Sequence, residues 1–272
     1  MLMRIVRETP LSMTLELAQL TVTMLSDGET AMPLTHLRGL DGEALPPAEL
    51  EGADLSGGKL RLPVRAFLVQ GRAGCLLIDS GAARAWHPTL GRLPAAMNEA
   101  GVGPGEVTVI ALTHTHVDHL SGLVDEDGGL AFPNARRILV ATEELDAFRS
   151  EPRMIPVLSR VMPLEQGDGP MRGVTAINAP GHSPGHMAFL VEGRLLIWGD
   201  LVHHAAVQFP RPEVTWVFDD APDQARASRL ALMEQAVEAG WLVAGAHLPN
   251  PGLGHITRDG NGYAFHPATR SA

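Results

Sequence analysis

Residues 112 to 123 read LTHTHVDHLSGL and place three histidines and an aspartate, His114, His116, Asp118 and His119, within six positions. Imidazole is the commonest protein ligand for zinc, and a neighbouring carboxylate extends the donor set. The spacing says more than the content. His114 and His116 are two apart, so an extended backbone points both side chains the same way. Asp118 and His119 follow in a turn and aim elsewhere. A single zinc takes three or four ligands, so four donors in two directions suit two neighbouring cations.

Three more metal-competent residues stand at the ends of apolar runs: His182 in APGHSPGHMAFL, Asp200 in LLIWGDLVHHAA and His247 in WLVAGAHLP. Taken singly, each is what a turn or a strand cap contains, but four coincident placements are hard to ascribe to chance. Five histidines and two aspartates suit two metals: three histidines on one, two histidines and an aspartate on the other, and one carboxylate bridging. Two divalent ions about 3.5–4 Å apart lower the pKa of a shared water to near neutral and polarise a carbonyl or phosphoryl oxygen. Zinc is the expected ion; Mn, Co and Fe suit the same nitrogen and oxygen donors.

These residues need strands that end where they begin. EVTVIAL, directly before the histidine cluster, is a β-rich apolar run, and open α/β sheets place their sites at such strand ends. VTAINAP, HMAFLVEG, RLLIWGD and WLVAGAH read as further strands. Residues 14–26, TLELAQLTVTMLS, read as one strand, and VRAFLVQGRAGCLLIDSG as a hairpin. Residues 38–62 read as loop. PTLGRLPAAMNEAG is a helix stopped by Gly101, and TEELDAFRS a short helix with Thr142 as its N-cap. The strongest helix is APDQARASRLALMEQAVEAG, with Leu230, Met233 and Val237 expected on its buried face.

The chain has 272 residues, is 45% hydrophobic and carries a net charge of −10. That allows a sizeable core, and with no basic run it argues against nucleic acid or an anionic membrane as partner. The lone cysteine, Cys75, lies in a core-like strand and reads as packing, not as a nucleophile. No signal peptide or membrane span is read, so a cytoplasmic location is expected.

H-x-H-x-D-H followed by a lone His, a lone Asp and a lone His resembles the metallo-β-lactamase superfamily, over about residues 15 to 266. The resemblance implies an α/β fold, an αββα sandwich of two mixed β-sheets flanked by helices. It implies a single domain over residues 1–272, with an N-terminal arm to about residue 60 and a metal-binding core over about 61–266. It implies that His114, His116 and His182 hold one metal, that Asp118, His119 and His247 hold the other, and that Asp200 bridges. Asp118 and Asp200 would be catalytic, Asp118 by relaying a proton. Asp79, in LLIDSG, would support the ligands from behind. WGDLVHHAAVQF, AHLPNPGLGHI, GNGYAF, PTLGRL and AFPNA are similar to the branch that contains methyl parathion hydrolase and related lactonases and arylesterases. The N-acyl homoserine lactone lactonases place a tyrosine three residues after the bridging aspartate, where this chain has His203. The relatives also imply a homodimer.

The resemblance implies a hydrolase of small-molecule lactones, esters or phosphotriesters. The segment between His119 and His182, which supplies pocket aromatics in that branch, is short here. Phe148, Met154, Ile155 and Leu158 are the expected pocket residues from it, with Trp86, His203 and Phe209 from elsewhere. A pocket with few aromatic rings is expected to favour lactones and aryl or carboxylic esters, with phosphotriester cleavage weak or absent. Glyoxalase-type thioester hydrolysis shares the ligands. Iron redox chemistry would want a carboxylate at position 116, and a β-lactamase proper would lack the carboxylate at position 200. A non-catalytic metal-binding member would be expected to have lost ligands.

Overall fold

The structure is a computed structural model and describes residues 3–50 and 52–269. Its first sheet is built from β1 (Arg4–Glu8), β2 (Ser12–Leu17), β3 (Leu20–Met32), β6 (Lys59–Gly71), β7 (Gly74–Ile78), β8 (Val109–Ala111), β9 (Arg137–Ala141) and β10 (Val161–Leu164), in that order. Before β6 come β4 (Leu37–Arg38) and β5 (Leu55–Ser56), the latter pairing with β6. The strands run antiparallel up to β7 and parallel from β7 to β10.

The second sheet runs in the order β11 (Val174–Asn178), β12 (Met187–Val191), β13 (Leu195–Ile197), β15 (Leu242–Ala244), β16 (Leu253–Asp259) and β17 (Gly262–Pro267). Only β13 and β15 pair in parallel within it. A small ribbon joins β14 (Thr215–Trp216) to β4.

Period-2 alternation gives each sheet two apolar faces. The inner faces meet in one core: Leu15, Val22, Met24, Phe67 and Ile78 of the first sheet pack with Phe189, Val191, Ile197, Leu242 and Leu253 of the second. The outer face of the first sheet (Leu68, Leu77, Ile110, Val140) is covered by α1 (Leu93–Ala100), α2 (Val117–Leu120) and α3 (Leu145–Ser150). The outer face of the second (Ala188, Leu196, Val243, Ile256) is covered by α5 (Pro222–Ala239), with α4 (Ala205–Gln208) nearby. The layers are therefore helix, sheet, sheet, helix, as the resemblance implied.

Several expectations need correction. Residues 14–26 are not one strand. The chain reverses after Leu17, with Ala18 at φ 55°, and no glycine or asparagine marks the turn. The supposed N-terminal arm is built into the first sheet, because β3 pairs with β6 from Thr21 to Met32. Thr142 opens a 3-10 turn without capping it. In α5 the buried face is Ala225, Arg229, Leu232, Met233 and Ala236, and Leu230 is exposed.

Candidate metal centre

The candidate ligands all leave the C-terminal ends of strands. The chain exits β8 through Leu112 and Thr113 to His114, and His116 precedes the first residue of α2, which carries Asp118 and His119. His182 follows β11, Asp200 follows β13 and His247 follows β15. Two groups form. In each, the donor atoms lie within 4.8 Å of one another: His114, His116 and His182 in one, Asp118, His119, Asp200 and His247 in the other. Asp200 touches both. Its Oδ1 lies 3.2 Å from His119 Nε2, and its Oδ2 lies 3.4 Å from His182 Nε2 and 3.0 Å from His247 Nε2.

Three rings are anchored through Nδ1, which leaves Nε2 for the centre. His119 Nδ1–H donates to Asp79 Oδ2 at 2.9 Å, His182 Nδ1–H to Asp219 Oδ1 at 2.8 Å, and His247 Nδ1–H to the Pro63 carbonyl at 2.6 Å. Asp79 is fully buried and sits at φ 61°, a conformation that costs a non-glycine residue energy and recurs at functional sites. It also accepts from the Thr113 amide at 2.8 Å.

The residues fit divalent cations. His114 Nε2, His119 Nε2 and Asp200 Oδ1 are buried polar atoms with no hydrogen-bond partner among the described residues, and buried polar groups are costly when left unpaired. Burial opposes charge on the histidines, but the carboxylates outweigh it at some of them. Asp200, Asp118 and Asp79 hold His119 well above its ordinary pKa, and Asp200 and Asp219 lift His182 to about 9. Burial wins at His114, which falls well below its ordinary value with His119 adding to the effect. Asp200 stays ionised well below the usual carboxylate range because the surrounding histidines overcome its burial. Ionised carboxylates and unpaired imidazole nitrogens together make a candidate cation site.

His116, Asp118, His182, Asp200 and His247 floor a cleft of about 240 Å³, with His114 and His119 buried beside them. Its walls are Met32, Leu62, Trp86, Val117, Trp216 and Phe218, with His203 beside Asp200. The His203 ring stacks on Trp216 at 4.7 Å and 9°, and its Nε2 lies 3.3 Å from Asp200 Oδ2. Among the described residues no lysine or arginine lines the cleft.

Of the expected pocket residues, Trp86 and His203 line this cleft. Phe148, Met154, Ile155, Leu158 and Phe209 do not. Phe148 and Met154 are fully buried in the layer outside the first sheet, with Leu158 packed against them. Ile155, in the same 3-10 segment, is 66% exposed. Phe209 stacks on Phe265 in the layer outside the second sheet. The expected segment belongs to the far side of the first sheet, so Phe148, Met154 and Leu158 pack there and Ile155 faces outward.

The sequence reading missed Trp216, Phe218 and Asp219. They sit just before α5, where VFDDAP looks like an ordinary approach to a helix. His186 and His204, read as structural, hydrogen-bond to the backbone, and the His186 ring also packs against His114 and His182. His186 accepts from the Asp200 amide at 3.0 Å and donates to the Ala179 carbonyl; His204 donates to the Asp54 carbonyl.

The model of the Metallo-beta-lactamase superfamily matches residues 60–247. An N-acyl homoserine lactonase of Bacillus thuringiensis is 28% identical over 162 residues, which cover 51% of this chain and 62% of the relative's length. Among solved structures, a hydrolase in the β-lactamase superfamily called AbOPH superposes with a TM-score of 0.86 at 27% identity, covering 98% of this chain and 100% of that one. AidC, a dizinc quorum-quenching lactonase, shares the fold with a TM-score of 0.84 at 24% identity, covering 96% of this chain and 99% of that one. The matched span takes in His114 through His247, all seven donors that the fold gathers beneath the cleft, and the chain belongs to the metallo-β-lactamase superfamily.

Proposed function

We propose that this protein is a metal-dependent hydrolase that opens lactones or cleaves carboxylic and aryl esters of small, uncharged molecules. The observation that carries the reading is the convergence of seven nitrogen and oxygen donors, with unpaired buried atoms among them and five of them lining an apolar cleft. Superfamily membership and the lactonase relatives support it.

Two divalent cations, zinc in the first instance, would supply Lewis acidity and a water of near-neutral pKa. His114, His116 and His182 would hold one, Asp118, His119 and His247 the other, and Asp200 would join them. The protein's own part is positional. Trp86, Val117 and Phe218 give the cleft apolar walls, and Trp216 stacked on His203 adds a flat one. Asp118 lines the cleft with Oδ2 at 3.5 Å from His247 Nε2, placed to accept a proton and pass it to a departing alkoxide. Among the described residues no lysine or arginine lines the cleft, so an anionic thioester of the glyoxalase kind would find no fixed counter-charge away from the metals.

One observation favours a second reading, aryl phosphotriester hydrolysis. The expected scarcity of aromatic rings does not hold, because Trp86, Trp216 and Phe218 reach the cleft from outside the shortened segment. Stacking on such rings contributes about 0.5–1.5 kcal/mol per pair beyond area burial. The deciding measurement is kcat/KM for a γ- or δ-lactone and an aryl acetate against paraoxon, on one zinc-loaded preparation. A ratio above one is expected. A ratio below one transfers the site to phosphotriesters, and no turnover of any member of the panel by dimetal protein would refute the hydrolase reading.

A further inference from the structure

The side of the centre that contains His119 has the anchor the sequence suggested, Asp79. The His182 side has an anchor of its own. Asp219 lies between β14 and α5 with its side chain fully buried. Its Oδ1 accepts the His182 Nδ1–H at 2.8 Å and its Oδ2 accepts the Trp216 backbone N–H at 2.9 Å. Behind it stands Arg229 of α5, 1% exposed, with a guanidinium nitrogen 3.8 Å from Asp219 Oδ2. Arg229 is itself held by the carbonyls of Leu201, Pro212 and Val214.

We propose that Asp219 is a positioning residue with two outputs: it turns His182 Nε2 toward the metal, and through Trp216 it sets the aromatic wall against which substrate lies. The inference rests on the dinuclear reading above. A carboxylate that accepts the far N–H of a ligating imidazole fixes both the tautomer and the rotation of the ring. Here the same carboxylate also fixes the backbone at Trp216, whose ring lies parallel to His203. Arg229 ties both effects to the helix outside the second sheet. Asp219 therefore does for His182 what Asp79 does for His119, and it adds a link from metal retention to substrate seating.

The two outputs separate by substitution. Asp219→Ala removes both. In Asp219→Asn one oxygen can still accept from His182, while the new amide opposes the Trp216 N–H. The experiment equilibrates zinc-loaded wild type, Asp219→Ala, Asp219→Asn and Asp79→Ala with graded chelator, counts zinc per chain, and measures kcat and KM for one lactone. Wild type should hold two ions. Asp219→Ala should lose one of them at about 10–100-fold lower chelator and keep the other. Asp219→Asn should lose less metal affinity than Asp219→Ala and show a rise in KM that exceeds its fall in kcat. Folded Asp219→Ala that keeps both ions with wild-type affinity overturns the proposal, as does Asp219→Asn with an unchanged KM. Should the variants not fold, a zinc-loaded crystal structure of the wild type decides: His182 bound through Nε2 with Nδ1 on Asp219 is expected, and binding through Nδ1 overturns the proposal. A wild type that saturates at one ion would sink the dinuclear reading, whereas two ions without turnover would sink only the hydrolase reading.

Discussion

A metal-ligating histidine almost always donates its other ring N–H to an acceptor, and at His119, His182 and His247 that acceptor is buried. The same accounting applies away from the centre at Asp27, a fully buried carboxylate in β3. Its oxygens accept from the amides of Ala82 and Leu93, each at 2.9 Å. Burial outweighs those bonds and raises its pKa to about 6, from 3.8. A carboxyl raised in the folded state contributes stability that is fully present below pH 3.8 and is lost as the pH climbs through about 6. Between pH 5 and pH 7 the loss is on the order of 1 kcal/mol. Asp27→Asn cannot titrate, so its unfolding free energy should fall less than the wild type's over that interval. Parallel urea-derived curves for the two proteins would show that Asp27 does not titrate there. At this scale the sequence was legible where chemistry and spacing coincide, as in the histidine cluster and the lone His182, Asp200 and His247. Asp219 was not legible, because its bond to His182 spans 37 positions and exists only after α5 has docked.

Elements set how close those residues come, and one glycine shows the tolerance. Gly181, the residue before His182, sits at φ 126°, and a Cβ there would lie 2.0 Å from the Ala225 amide nitrogen in the first turn of α5. That neighbour is backbone and cannot swing aside. Gly181→Ala should therefore push the His182 turn off the helix, at about 1–3 kcal/mol for the overpacking, and it should also weaken zinc retention. Gly167→Ala is the matched control, since Gly167 has φ 88° but open space where a Cβ would go. Thermal unfolding and zinc titration of both variants test the idea, and equal losses in the two would mean that backbone strain, not the contact with α5, sets the cost. The strands that carry ligands were readable because each is an apolar run stopped by a polar residue. The β2–β3 turn at Ala18 and the outer-layer home of Met154 and Phe148 were not. The first lacks any turn residue, and the second depends on which face of a sheet a segment returns to.

Across the whole molecule the candidate ligands are drawn from both sheets. His114, His116, Asp118 and His119 come from the edge of the first, after β8; His182, Asp200 and His247 come from the second, after β11, β13 and β15. Besides the shared apolar core, polar groups of the two halves meet at the candidate ligands, at Arg65 on Leu248 and Asn250, where the Gly185 amide donates to Glu144, and where the Met187 amide donates to the Thr113 carbonyl. Cations bound there would act on the native state alone, since the donors are scattered from position 114 to 247 and form no site in the unfolded chain. An ion at a free concentration 100 times its Kd stabilises the fold by about 2.7 kcal/mol per site. For a chain near this size each kcal/mol moves Tm by roughly 2–4 °C. Stripping zinc-loaded protein with chelator should therefore lower Tm by at least about 5 °C, and returning zinc should restore it. Removing the metal should also raise hydrogen exchange at β8, β13 and β15 together, because both sheets would lose their shared fastening at one edge. A Tm unchanged by chelation, or exchange that rises on one sheet alone, would show that the sandwich is held by its apolar core and that the centre plays no part in joining its halves.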